Sequence, residues 1–168
     1  MRECGTCSAC CHVAVVPDLK TGWTDCIHQR EDVNGSCAVY GAPERPDLCS
    51  SFACSWLRGF GHDDDRPDRS GALLTVNETA PGMIIGFLGE LEPGAALGRA
   101  RHIAVAFAEH NDVPLIVVEH GRDDAGRWVV VRDDLRDRAA QIIGQEYARL
   151  SPDVAMYERR RPGDGLYR

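Results

Sequence analysis

All eight cysteines of this 168-residue chain fall between Cys4 and Cys54, and none follows. The run opens with two overlapping Cys-x-x-Cys steps, Cys4 to Cys7 and Cys7 to Cys10, with Cys11 directly after, and continues with Cys26, Cys37, Cys49 and Cys54. A Cys-x-x-Cys step lets one tight turn aim two sulfurs at a single ion, while backbone N–H groups of the turn stabilise the thiolates. Cys10 and Cys11 differ in kind. Adjacent side chains usually diverge, so the pair is expected to serve different ions or to flank a shared cluster. The four later cysteines arrive singly, so separate loops must converge to close what the first four begin.

Three chemistries compete for such a set. Disulfides need an oxidising compartment, yet Met1-Arg2-Glu3 leads straight into Cys4 with no charged start, apolar run and small-residue cleavage site. Buried unligated thiols explain one or two cysteines but not this spacing. Metal or cluster ligation remains as the expectation, in a cytoplasmic setting. The formal charge of -7 counts thiols as neutral. Every thiolate formed for a metal adds negative charge that the bound cation must offset, so the metal-free segment should be loose. An acidic chain also lacks the broad cationic face that phosphate backbones require, which argues against nucleic acid as a partner. No apolar run approaches the roughly 18 residues of a membrane span, so no membrane role is expected.

The order of elements resembles the CxxCxxCC family of zinc- or iron-chelating proteins, many of them small bacterial proteins, with a distant similarity to flagellin lysine methylases. The matching elements are Cys4-x-x-Cys7-x-x-Cys10-Cys11, Cys26-x-His28, Cys37-x-x-Tyr40, Arg45-Pro46-x-x-Cys49 and Phe52-x-Cys54-x-Trp56-Leu57. They cover about the first third of the chain. The resemblance implies metal ligation by the eight cysteines, with His28 as the further ligand candidate. It does not extend to methyl transfer, because nothing here matches a methylase's own domain. Two departures stand out: Gln29 occupies a position where some relatives carry a cysteine, and Gly41 to Glu44 lengthen the link between Tyr40 and Arg45.

The rest of the chain reads as an α+β protein, a loop-rich cysteine metal-binding module over residues 1–62 followed by a small β-β-α-β-β-α domain over 70–158 and a tail over 159–168. In the first part Pro17, Gly22, Pro43 and Pro46 favour loops. Trp23, Tyr40, Phe52 and Trp56 are the large residues expected to pack around the metal and shield it. The acidic run His62 to Asp68 reads as a solvated linker. Beyond Gly71, the apolar runs 72–76 and 83–88 flank a Pro-Gly turn and predict a hairpin. Leu97, Ala100, Ile103, Ala104, Phe107 and Ala108 recur at helical spacing until Asn111 and Pro114 stop them. Runs at 115–118 and 128–131 predict a second hairpin, and Leu135 to Leu150 a second helix.

Other chemistry finds little support. His102 and His110 stand eight residues apart on the predicted helix, about two turns, too far to share one ion unaided. His12 is a weaker ligand candidate than His28, because Cys11 already occupies the local geometry. No Gly-rich phosphate loop, Gly-x-Ser-x-Gly elbow or His-Glu-x-x-His motif occurs. Eight thiolates divide into two closed four-ligand sites, which favours structural zinc. The Cys-x-x-Cys-x-x-Cys run argues for an iron–sulfur cluster instead, although the Cys-Pro that ends that signature is missing. On the zinc reading, the C-terminal domain contacts a protein partner or small molecule. The alternative is an iron–sulfur redox component or a protein-modifying enzyme.

Overall fold

The computed structural model describes residues 2–30, 37–80, 83–118, 120 and 126–129. The first part is loop with two single-turn helices, α1 (Ala9–Val13) and α2 (Asp47–Ser51), followed by α3 (Pro67–Ser70). Pro46 immediately precedes α2, and its fixed φ suits the entry to a helix. Pro67 opens α3, where its missing N–H costs nothing, and Gly71 closes it in the left-handed region at φ +76°.

The second part is built on a four-stranded sheet in the order β1 (Ala72–Ala80), β2 (Met83–Glu90), β3 (Leu115–Val118), β4 (Gly126–Val129). β1 and β2 pair antiparallel from Ala72 opposite Glu90 to Ala80 opposite Met83, with a register shift between Glu78 and Ala80. Helix α4 (Arg99–Asn111) then crosses over so that β3 runs parallel to β2, and β4 returns antiparallel. The protein is thus α+β, and the described strands and α4 follow the β-β-α-β-β order read from the sequence. The helix expected over 135–150 and the tail over 159–168 lie outside the described residues.

Apolar spacing explains the core. Ala100, Ala104, Phe107 and Ala108 form the buried stripe of α4 and meet Leu74, Leu88, Leu115 and Val117 from the sheet. Three of those four helix residues are alanines, which lets the helix axis approach the strands closely. Gly86 on β2 makes room for its β3 neighbour, since a Cβ there would sit 2.8 Å from Leu115 Cδ1. Asp112 ends α4 in the left-handed region, and Pro114 keeps the chain extended into β3.

The acidic run, expected as a solvated linker, keeps Asp63 and Asp64 exposed but is locally folded. Asp63–Asp65 form a 3₁₀ turn in which Asp65 accepts the His62 N–H at 2.7 Å and the Arg99 guanidinium at 2.8 Å, while Pro67 and Ser70 are buried. The cysteine-bearing segment also packs directly on the sheet. Ala9, Cys54 and Leu73 form a small buried cluster, with Cys7, Cys10, Val13, Phe52, Trp56 and Leu57 around it. Ser55 N–H donates to Leu74 O on β1 at 2.8 Å, and Trp23 Nε1–H donates to Glu90 O at the end of β2 at 2.9 Å. Trp23 itself lies in the left-handed region at φ +51°, unusual for so bulky a residue. Gly89 lets α1 approach β2, because a Cβ there would lie 2.7 Å from Val13 Cγ1. Arg2 clasps the loop after Cys54, donating to the carbonyls of Trp56 and Phe60, both at 2.8 Å, and of Gly61 at 2.6 Å. Among the described residues no helix is long and apolar enough to cross a membrane.

Candidate metal centre

The eight cysteines enter from different local frames. Cys4 opens a turn closed by Cys7 N–H to Cys4 O at 2.9 Å, and Gly5 takes φ +54° within it. Cys10 and Cys11 sit in α1, and Cys49 sits in α2. Cys26 starts a turn closed by the Gln29 N–H at 2.9 Å, and Gln29 forms an isolated antiparallel bridge with Cys37. Cys54 is buried after α2 and takes the Leu57 N–H on its sulfur at 3.5 Å. All eight are free thiols.

Electrostatics show which sulfurs feel one another. Burial pushes the Cys4 thiol up, Cys54 and Cys11 push it further, and Arg45 opposes them. Cys7 is pushed up by burial, while backbone N–H groups of Ala9 and Asp68 on its sulfur favour the thiolate. Cys49 is raised by burial and by Cys11, Cys26 and Cys37, again against Arg45. Cys11 therefore lies within electrostatic reach of Cys4, Cys10 and Cys49, and Cys49 extends that reach to Cys26 and Cys37.

Cys10 and Cys11, adjacent in α1, titrate as a coupled pair. Two thiols in one partly buried place share a proton instead of holding two charges. The Cys10 S–H bond pulls Cys11 down to about 7, helped by Lys20 and Arg45, and Cys10 is driven strongly up.

Two cations attend this network, and the sequence reading assigned a role to neither. Lys20 donates its ammonium to the carbonyls of His12 and Ala14 at the end of α1, which places its charge beside Cys11 and Cys26. Arg45 belongs to the Arg-Pro-x-x-Cys element. Residues Gly41 to Glu44 form successive turns, Ala42 N–H to Val39 O and Arg45 N–H to Ala42 O, that fold Arg45 back over the Tyr40 ring at 4.3 Å. Tyr40 is itself 60% exposed, so it supports Arg45 and does not shield the sulfurs. Trp23 lies against the sheet, while Phe52 and Trp56 do pack beside Cys7, Cys10 and Cys54.

His28, two residues after Cys26, is half-buried, and its carbonyl accepts the Ala38 N–H at 2.8 Å. His12 is engaged elsewhere: its Nδ1 pairs with Asp25 at 2.8 Å, and its ring lies 6.0 Å from that of His120. A groove of about 480 Å³ lined by Phe60, His62, Asp65, Arg99, His102 and Ile103 includes no cysteine and is separate from the network.

The donor chemistry fits a thiophilic cation or a sulfide cluster: free thiols, a half-buried imidazole, N–H groups on sulfur and two flanking cations. A closed shell is not formed, since among the described residues no group of three or more His, Cys, Asp or Glu side chains is arranged to hold a metal ion. Compared with known proteins, the chain matches no family model, no curated protein and no solved structure.

Proposed function

We propose that this chain is a metal-binding protein of the CxxCxxCC type, in which Cys4, Cys7, Cys10, Cys11, Cys26, Cys37, Cys49 and Cys54, with His28 beside them, take up zinc or an iron–sulfur cluster in the cytoplasm. The metal's part is mainly structural: it ties together loops that have few apolar residues of their own. The α+β domain then offers its surface to a protein partner or small ligand. The observation that supports the reading is a set of eight free thiols carried on separate segments, with Arg45 held beside one of them by its bond to Cys49 O and its stacking on the Tyr40 ring. Turning several such thiols into thiolates in one place sets like charges against each other, a cost that a bound cation offsets. Closed thiolate sites favour zinc.

Elemental analysis of protein purified anaerobically, with its absorption spectrum, tests this. Zinc without iron in a colourless protein is the expected result. A brown protein absorbing near roughly 400 nm would replace zinc with an iron–sulfur cluster and bring forward the redox or protein-modifying alternative. Fully reduced protein carrying no metal would end the proposal.

A further inference from the structure

Between Cys11 and Cys26 the chain makes a closed excursion. His12 and Asp25 pair across its base at 2.8 Å. Val13 and Trp23 converge on one backbone position, since a Cβ on Gly89 would meet Val13 Cγ1 at 2.7 Å and Trp23 Cζ2 at 3.7 Å. The residues between are tied to one another. Val16 and Lys20 form an isolated antiparallel bridge with bonds of 3.0 and 2.9 Å, Leu19 N–H donates to Val16 O at 3.1 Å, and the Lys20 ammonium returns to the carbonyls of His12 and Ala14. Ends that meet while the middle satisfies itself define an Ω-loop, a form that recurs at functional sites. This loop is weakly seated. Trp23 at φ +51° and Asp18 at φ +63° lie in the left-handed region, and a bulky residue keeps that conformation only where contacts outweigh the strain. Within residues 14–24, Val16 is the one buried large hydrophobic, and Val15 is 58% exposed. Against this stand the Trp23 indole bond to Glu90 O at 2.9 Å and the stacking of His12 on His120 at 6.0 Å. Glu90 itself is buried in the α+β domain, where its carboxylate accepts the N–H groups of Ala96 at 2.9 Å and His120 at 3.2 Å.

We propose that residues 14–24 are a latched strap, which lifts from the end of β2 as one cooperative unit and unwinds α1 with it while the sheet stays folded. A segment with few buried apolar contacts opens at lower cost than the strands it rests on. Trp23 is the latch, because its indole reaches the rigid carbonyl of Glu90 from a strained backbone. Helix α1 runs into the strap: its last bond is Ala14 N–H to Cys10 O at 3.1 Å, and its final residue, Val13, fills the notch at Gly89. Five residues do not hold a helix without tertiary support, so α1 lasts only as long as the strap is down. The device thus sets whether Cys10 and Cys11 are presented from a helical turn or from loose chain. It goes beyond the metal-binding reading and holds with or without an ion.

Hydrogen exchange of the full-length reduced protein, read by NMR across low urea concentrations, tests this. The backbone N–H groups of Ala14, Val16, Leu19 and Lys20 and the indole N–H of Trp23 should share one opening free energy. It should lie below that of the β1–β2 ladder and fall less steeply with urea, because lifting the strap exposes little surface. Strap groups that follow the ladder in both free energy and slope, or that scatter among unrelated values, would overturn the proposal. Ala14 N–H alone following the ladder would overturn the inclusion of α1. Trp23→Phe keeps the ring and removes the donor. That bond is missing from the lifted state and from the unfolded state alike, so strap and ladder exchange should both rise about fivefold, the equivalent of roughly 1 kcal/mol for one neutral hydrogen bond. Strap rates unchanged in Trp23→Phe, whatever the ladder does, would overturn the latch. Should that variant fail to fold, the wild-type urea series decides by itself. None of these readouts requires a metal, so failure of the metal-binding reading leaves the test standing.

Discussion

Substituting Gly89 by alanine probes how the cysteine-bearing segment is seated. The added Cβ would lie 2.7 Å from Val13 Cγ1 and 3.7 Å from Trp23 Cζ2. Carbon atoms rest at about 3.5–4.0 Å, so Val13 must retreat by roughly 1 Å. Val13 is β-branched and has no flexible end to swing aside. It also ends α1, which carries Cys10 and Cys11, so the displacement passes to the sulfurs. Overpacking of this kind costs about 1–3 kcal/mol, against roughly 0.4–1 kcal/mol returned by the stiffer unfolded chain, which leaves a net loss of about 1–2 kcal/mol. Val13→Ala alone removes part of a half-buried side chain and should cost roughly 1 kcal/mol. It also clears the space that the new methyl group at position 89 would need. The double variant should therefore lose little more than Val13→Ala by itself, a coupling of about 1–2 kcal/mol in urea unfolding of the reduced, metal-free protein. If the two losses simply add, to within about 0.5 kcal/mol, the close approach of α1 to β2 is not the reason for glycine at position 89.

In the metal-free reduced protein, Cys11 should be alkylated first. Its rate should rise with pH through about 7, because the thiolate forms above the lowered value, and Cys10→Ala should move that midpoint upward; mass-mapped labelling across pH reads both. Arg2→Ala removes donors from the carbonyls of Trp56, Phe60 and Gly61 and a cation 4.9 Å from the Trp56 ring. It should cost about 1–3 kcal/mol and raise hydrogen exchange in residues 55–61 ahead of the sheet, whereas uniform loss of protection would argue against a local clasp. Asp65 is opposed by burial, but the His62 N–H and the Arg99 guanidinium outweigh that and hold its carboxyl below the usual range. Its contribution is therefore present above the ordinary value of about 4 and is lost as pH falls through the lower folded value. Asp65→Asn should flatten that part of the acid-unfolding curve, and an unchanged curve would remove Asp65 from the account.

The sheet and α4 were legible because their signals are periodic and local. Runs at 72–76 and 83–88 lengthen into β1 and β2, and the alanine-rich spacing of 100–108 is the buried stripe of α4. What escaped depends on partners far along the chain. The acidic run reads as a linker until Arg99 is seen to hold Asp65 from 34 residues away. The seat of the cysteine segment rests on Val13 against Gly89 and Trp23 against Glu90, and neither pair leaves a trace in spacing. The cysteines could be read as a donor set, but their two cations could not. Lys20 and Arg45 look like ordinary solvated charges until turns fold them back toward the sulfurs.

The clasp of Arg2 and the bond from Trp23 to Glu90 set an order of events on the ribosome. Arg2 waits for carbonyls 54 to 59 residues downstream, and Trp23 for one 67 residues downstream. At about 5–20 residues per second, a nascent chain that has just released Trp23 needs roughly 3 to 13 s to supply Glu90. Through that interval the first thiols emerge with no strand to settle on and stay open to oxidants. The redox state at the tunnel mouth therefore bears on whether those thiols reach the sheet reduced.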